Sequence, residues 1–437
     1  MFTILSIYIF FVVLWVLWHI KGRKFSTLAF DYLMVAPFLA VPSLINHNLD
    51  HDLNHPYIRM IPLLLLVLML APWFRLSLPK NQGKAFKPAL LCLAGYSLIS
   101  LLQTIVSDDP LWSFITWAWT VPGFILFFAA GYSISYEKIE KSRYPLWVIV
   151  GFVLIGLFLR FYGMRIGRTE DFWLTRNYGS VFASGIILIS LYGGMAWINA
   201  RHSRSRILVF YFFSFLTLFA SMSRSAFLIL VMILCLFRTL SLSEIRQHIK
   251  KIAIVLVPMI LFGIVIARST GSFNLAGFIQ GWQTRIPKAS VIVWAQEALQ
   301  VRQDEFADIR GSIWNDHFFL GAGFGRFYQQ SRTGYQDAHN LFFTEAYENG
   351  LIAAVFLYGF FVICLFSAGR TLFDKKYFPI AISIFFFFII VHTGGYVLSE
   401  RSSPTAYFSA YCGWCFCFLA GTLFQNRKAS LSAKAED

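Results

Sequence analysis

Residues 341–366 read LFFTEAYENGLIAAVFLYGFFVICLF, a run in which Glu345 and Glu348 are the only charged side chains. At about 1.5 Å of rise per residue, a helix of this length outreaches the roughly 30 Å of hydrocarbon in a bilayer. The stretch reads as a membrane-spanning helix, and it sets the scale for the rest of the chain. Similar apolar runs, parted by charged or turn-rich stretches, fall at 2–20, 25–46, 58–74, 88–106, 112–136, 146–164, 180–200, 207–223, 225–239, 252–267, 378–398 and 405–423. With 341–366 they make thirteen spans. Met1–Ile20 lacks a small-residue cleavage site and runs straight into Lys21, Arg23 and Lys24, so it is expected to stay as a membrane helix.

Composition agrees. The 437 residues are 57% hydrophobic, 18% aromatic and 14% charged, against roughly 25% charged in an ordinary soluble domain. A soluble enzyme is excluded. The expected fold is all-α: a polytopic integral membrane protein of 12–13 transmembrane helices with one large structured loop on the outer side. Its expected parts are helices 1–10 over 1–267, the loop over 268–340, and three more helices with a tail over 341–437.

The formal charge of +15 would suggest nucleic acid in a soluble protein, but in a membrane protein it first reports topology. One set of alternate loops, namely 21–24, 75–87, 137–145, 201–206, 238–251, 367–377 and the C-terminal tail, holds 23 Lys and Arg; everything else holds 14. The richer set is expected in the cytoplasm, which puts the N-terminus outside and the C-terminus inside. No nucleic-acid partner is expected. Of the 14 positive charges on the outer side, 13 are Arg and one is Lys288. Topogenic signals accept either residue, whereas Arg offers a planar, always-charged fork that matches phosphate oxygens two at a time. The bias points to an anionic, phosphate-bearing ligand outside. Pairing with the 15 outer Asp and Glu is the competing explanation for any one of these arginines.

Loop 268–340 is long enough to be functional or separately folded. Ala289–Gln303 has the spacing of an amphipathic helix, and a short helix is expected over Arg310–Phe319 before Gly321-Ala322-Gly323-Phe324-Gly325. No strand precedes these glycines, so they read as turn formers and not as a nucleotide loop. Arg224 falls between two apolar runs at the outer end of a helix pair, where an ionisable group is costly. His339 opens the helix after the loop, with Asn340 beside it and Glu345 and Glu348 on neighbouring parts of one face. A His there suits proton acceptance near neutral pH. The two acids also suit a helix N-terminus through its dipole.

Ser223-Arg224-Ser225, Arg310-Gly311-Ser312-Ile313-Trp314 leading to the glycine run, and His339-Asn340 followed by Glu348-Asn349-Gly350 together resemble the signature of the O-antigen ligase and Wzy-type O-antigen polymerase superfamily. Asn177, just before the seventh span, resembles that family's Asn after an outer loop. The resemblance covers residues 170–350; the flanks agree in being hydrophobic spans. It implies a metal-independent, cofactor-free glycosyltransferase of the bacterial inner membrane, acting at the periplasmic face. The donor would be a glycan on undecaprenyl diphosphate. The acceptor would be a sugar hydroxyl on a lipid-linked glycan or lipid A core. The family is described with about twelve spans, which sets the first span or the 207–239 pair against the count of thirteen.

Family roles carry over to Arg224 and Arg310 as diphosphate-binding residues and to His339 as the base. Two preorganised arginines would neutralise charge building on the leaving diphosphate, with about 3–4 kcal/mol typical of each such donor. A general base contributes on the order of 10²–10⁴ in rate. Direct attack on the anomeric carbon predicts inversion. Asn177, Arg176, Arg168, Asn340 and Glu348 complete the expected substrate-binding set, in which Arg168 and Arg176, like Arg165, are weaker candidates for contacting lipid phosphate or glycan. Glu348, nine residues beyond His339, is better placed to hold helix geometry or orient neighbours than to touch substrate. The interval of 29 residues from Arg310 to His339 leaves little room for an added acceptor-binding structure, which favours a polymerase over a ligase.

His47, His51 and His55 are spaced for a metal-binding face, but Asn48, Asn54 and Pro56 favour an interhelical turn. All six Cys sit in apolar spans and predict no disulfide. His392 stands near an outer helix end. A flippase or transporter of lipid-linked sugars would predict internal repeats, several charges deep in the spans and short external loops, whereas the chain shows no repeat, its deep spans are almost free of charge and its charged groups collect at one face. A structural subunit would make the Arg224, Arg310 and His339 set accidental. A protein O-oligosaccharyltransferase would share the core motif on a longer chain.

Overall fold

The computed structural model describes residues 85–134, 319–327, 340–372, 377–392 and 406–436, together with Ser26, Thr27, Ala29, Phe30 and Leu33. Among the described residues every regular element is a helix, and these are α1 (Phe86–Val106), α2 (Pro110–Ser133), α3 (Leu341–Thr371), α4 (Phe378–His392) and α5 (Ala406–Glu436). α1, α2 and α3 are long and apolar enough to cross a membrane, and α5 contains a shorter apolar stretch, Ala410–Gln425. The chain is an integral membrane protein. The full count of thirteen, the orientation and the helices expected at 289–303 and 310–319 lie outside the described residues.

α1 turns Leu91, Leu98, Leu102 and Ile105 outward, each more than half exposed. Their spacing of three, four and seven places them on one stripe, the face a membrane helix gives to lipid. The opposite stripe buries Phe86, Ala89, Leu93, Tyr96 and Ser100. Hydroxyls on α1 and α2 return their hydrogens to the helix itself: Ser97 to Leu93 O, Ser100 to Tyr96 O, Thr116 to Trp112 O and Thr120 to Thr116 O. Such back-bonding lets polar side chains sit in apolar helices. The chain reverses through Ser107-Asp108-Asp109, where the Asp109 carboxylate accepts from the Trp112 amide at 3.1 Å and Pro110 occupies the first helical position. Both are standard devices for starting a helix.

α2 packs most extensively on α5, and α3 packs against both α1 and α4. Gly131 and Gly421 bring the α2 and α5 backbones together; a Cβ at either would overlap a carbonyl of the facing helix. Close approach through small residues is how membrane helices gain contact where lipid is as apolar as a side chain. Trp414 Nε1 adds a bond to the Thr120 carbonyl at 3.0 Å. The high aromatic content packs the space between helices: Phe360, Phe361, Phe387 and Phe416 contact one another, with Phe387 and Phe416 stacked at 4.5 Å. Cys92, Cys364, Cys412, Cys415 and Cys417 are free thiols.

Two boundaries differ from the sequence expectation. α5 continues as helix to Glu436, past the expected end at 423. α3 is interrupted at Gly350, in the middle of what reads as one uniform apolar run.

Candidate functional site

α3 starts at Asn340, whose side-chain oxygen accepts from the Phe342 amide at 2.9 Å. Nine residues into the helix, Gly350 adopts φ 77° and ψ 167°. A positive φ of this kind is open to glycine and strained for side-chain-bearing residues. The break disrupts the i to i+4 ladder around it, and a bare carbonyl within a membrane protein is costly. A neighbouring segment makes up the loss. The Ala322 amide donates to Tyr347 O at 2.7 Å and the Gly323 amide to Glu348 O at 2.8 Å.

The donors lie in the glycine run. Gly321, Gly323 and Gly325 have φ of 67°, 107° and 77°, so the run forms turns. The contact with α3 is close on both sides: a Cβ on Gly350 would strike the Phe319 carbonyl, and one on Gly321 would strike the carbonyl of Glu348. The other side of the loop rests on the reversal between α1 and α2. Gly323 lies against Ser107, which accepts from the Ser113 hydroxyl at 2.8 Å, and Gly325 lies against Thr116. Arg326 pairs with Asp109 at 3.8 Å. This arginine has an acidic partner, as the competing explanation for the arginine bias holds.

Both acids of α3 are fully buried. Glu348 Oε1 accepts from the Phe327 amide at 3.1 Å, tying the end of the loop to the helix. The Glu345 carboxyl receives the Tyr96 hydroxyl of α1, 3.0 and 3.1 Å from its two oxygens, and the Asn349 amide at 2.7 Å. Neither acid stands in the first turn of α3. Their environment is therefore this hydrogen-bond network and not the helix dipole. Buried polar groups so satisfied rigidify what they join.

Of the residues singled out from sequence, Asn340, Glu345 and Glu348 are described, the first as helix cap, the second as the partner of Tyr96 and the third as loop anchor. Arg224, Arg310, His339, Asn177, Arg176 and Arg168 lie outside the described residues, as do His47, His51, His55 and the side chain of His392. The sequence reading did not single out Tyr96, Asp109 or Arg326. Asp109-Pro110 carried a helix-start signal, whereas nothing local to Tyr96 announces a partner 249 positions away. Among the described residues no group of three or more His, Cys, Asp or Glu could hold a metal ion.

What the described residues build is a brace. The loop 319–327 is held between the break in α3 and the α1–α2 reversal, with Arg310 upstream of it and His339 downstream in the chain.

Residues 209–358 match Wzy_C, the O-antigen ligase family. The resemblance to the O-antigen ligase and Wzy-type superfamily is thereby borne out. The Wzy_C match takes in Arg224, Arg310, His339, Asn340 and Glu348, and ends within α3. Asn177, Arg176 and Arg168 precede it, and so does the whole α1–α2 hairpin that carries Tyr96 and Asp109. No curated protein matches the chain.

Proposed function

We propose that this chain is a membrane glycosyltransferase that moves a glycan from undecaprenyl diphosphate to an acceptor sugar hydroxyl at the periplasmic face of the bacterial inner membrane. The observation that carries the reading is the O-antigen ligase match over residues 209–358, which contains every residue assigned to the chemistry. His339 takes the proton of the acceptor hydroxyl as its oxygen attacks the anomeric carbon. The bond from that carbon to the diphosphate oxygen breaks as the new glycosidic bond forms, and the configuration inverts. Arg224 and Arg310 neutralise the charge that gathers on the departing diphosphate, without a metal. Asn177, Arg168 and Arg176 contact the lipid phosphate or glycan. Asn340, its side-chain oxygen committed to the Phe342 amide, offers its NH₂ to a sugar oxygen. Glu348, buried and bonded to the loop, serves the site by holding its frame.

The test is single replacement of Arg224, Arg310 and His339 by Ala, with membrane expression verified and surface polysaccharide resolved by gel. Each variant should lose the wild-type chain-length pattern, and an unchanged ladder in all three would sink the proposal. Deletion separates the two members of the class. Loss of a polymerase leaves one repeat unit on the core, and loss of a ligase leaves none.

A further inference from the structure

The break at Gly350 divides α3 into a short segment, 341–349, and a longer one, 351–371. Across a non-helical residue the long segment no longer dictates the direction of the short one, so lateral bonds must fix it. Three come from the loop, through the amides of Ala322, Gly323 and Phe327. Another comes from a membrane-spanning helix: the Tyr96 hydroxyl of α1 on the carboxyl of Glu345. Tyr96 is itself fully buried, and its ring lies against Phe124 of α2 at 6.5 Å. It therefore references the short segment to the α1–α2 hairpin.

We infer that Tyr96, which precedes the matched region, is a positioning residue for glycosyl transfer, acting through Glu345 on the helical segment whose tip adjoins His339. The inference rests on the reaction proposed above. Its leverage follows from length. The first residue of the segment, Leu341, stands about 14 Å along the helix from the pivot at Gly350, so a tilt of about 4° displaces the start of the segment by about 1 Å, and a misplacement of that size at a catalytic group costs on the order of 10²-fold in rate. Asn349 adds to the network from within the segment. Its Nδ2 is bonded to Glu345, while its buried Oδ1 has no hydrogen-bond partner among the described residues.

Tyr96→Phe removes one hydroxyl and keeps the ring. The full-length variant is purified and assayed on lipid-linked glycan together with lipid A core, both extracted from membranes of a host lacking this chain, and amide exchange is followed over 341–349. The expected result is kcat lower by on the order of 10²-fold with KM within about twofold, together with faster exchange in 341–349. Glu345→Gln, whose amide oxygen still accepts from Tyr96 and whose NH₂ can be met by a turned Asn349 amide, should lose kcat by a smaller factor. Unchanged kcat in Tyr96→Phe overturns the inference, and so does a loss of activity that only tracks loss of folded protein with exchange in 341–349 unaltered. If the wild-type chain transfers nothing from this probe, the glycosyl-transfer reading falls instead, and the exchange over 341–349 alone decides whether Tyr96 holds the segment.

Discussion

Gly350→Ala is the most informative single change, because three separate terms act on it in one direction. The native φ of 77° costs an L-residue about 1–2 kcal/mol. The added methyl also meets the Phe319 carbonyl, which forces the loop away. The amides of Ala322 and Gly323 then lose Tyr347 O and Glu348 O, at a net cost of about 0.5–1.5 kcal/mol each. Ala further favours continuous helix over Gly by about 1 kcal/mol. Together these disfavour the docked, broken arrangement by about 3–6 kcal/mol. At 1.4 kcal/mol per tenfold, the amides of Ala322 and Gly323 should exchange at least on the order of 10²-fold faster than in the wild type. Hydrogen exchange with mass spectrometry on the detergent-solubilised protein reads this directly, and surface polysaccharide in cells reads the consequence. Wild-type protection at 322 and 323 in the variant would refute the account of how loop and helix depend on each other.

Glu348→Ala leaves the buried Phe327 amide without its carboxylate acceptor and should lower stability by about 1–3 kcal/mol; Glu348→Gln, which keeps an acceptor oxygen, should recover most of the thermal midpoint. Asp109→Ala should cost about 1 kcal/mol through loss of the α2 cap, while Asp109→Asn should be near neutral, because the pair with Arg326 is long and its acid half-exposed and such pairs contribute little. Equal losses in the two Asp109 variants would show that the ion pair matters more than the cap. Arg310→Lys should keep the charge but lose the two-pronged grip on phosphate, lowering kcat/KM well below wild type in the lipid-linked glycan assay. Transfer should persist in excess EDTA, and its abolition by chelation with recovery on adding a divalent ion would overturn the assignment of charge neutralisation to guanidinium groups.

Much of the architecture was legible in the sequence, because apolar run length is a direct measure of membrane-crossing helix. Phe86–Val106, Pro110–Ser133 and Leu341–Thr371 lie close to the runs at 88–106, 112–136 and 341–366. The ends were less legible where helix and hydrocarbon part company. Beyond Gln425 the chain reads NRKASLSAKAE, too polar to count as a span yet rich in Ala, Lys and Leu, which favour helix, and α5 runs on through it. The break at Gly350 was hidden because a glycine in an apolar run is commonly tolerated; what distinguishes this one is a partner segment that supplies amides. The residues assigned to chemistry, Arg224, Arg310 and His339, came from matched motifs in order. Tyr96 came from neither source, since an isolated Tyr carries no periodic signal, and its pairing with Glu345 exists only once α1 and α3 lie side by side.

The interruption of α3 also bears on how the protein is made. A broken membrane helix is a poor substrate for insertion, because its freed carbonyls need partners other than its own ladder. Chain order resolves the difficulty. The α1–α2 reversal is synthesised first, the glycine loop next, and α3 directly after it. When α3 leaves the ribosome, both the platform and the amides that will receive its carbonyls already exist. On this order the loop can seat against the Gly350 break as soon as α3 follows it. A pulse-labelled chain stalled before release should therefore show the loop accessible to protease first, and sheltered only after the last spans have followed.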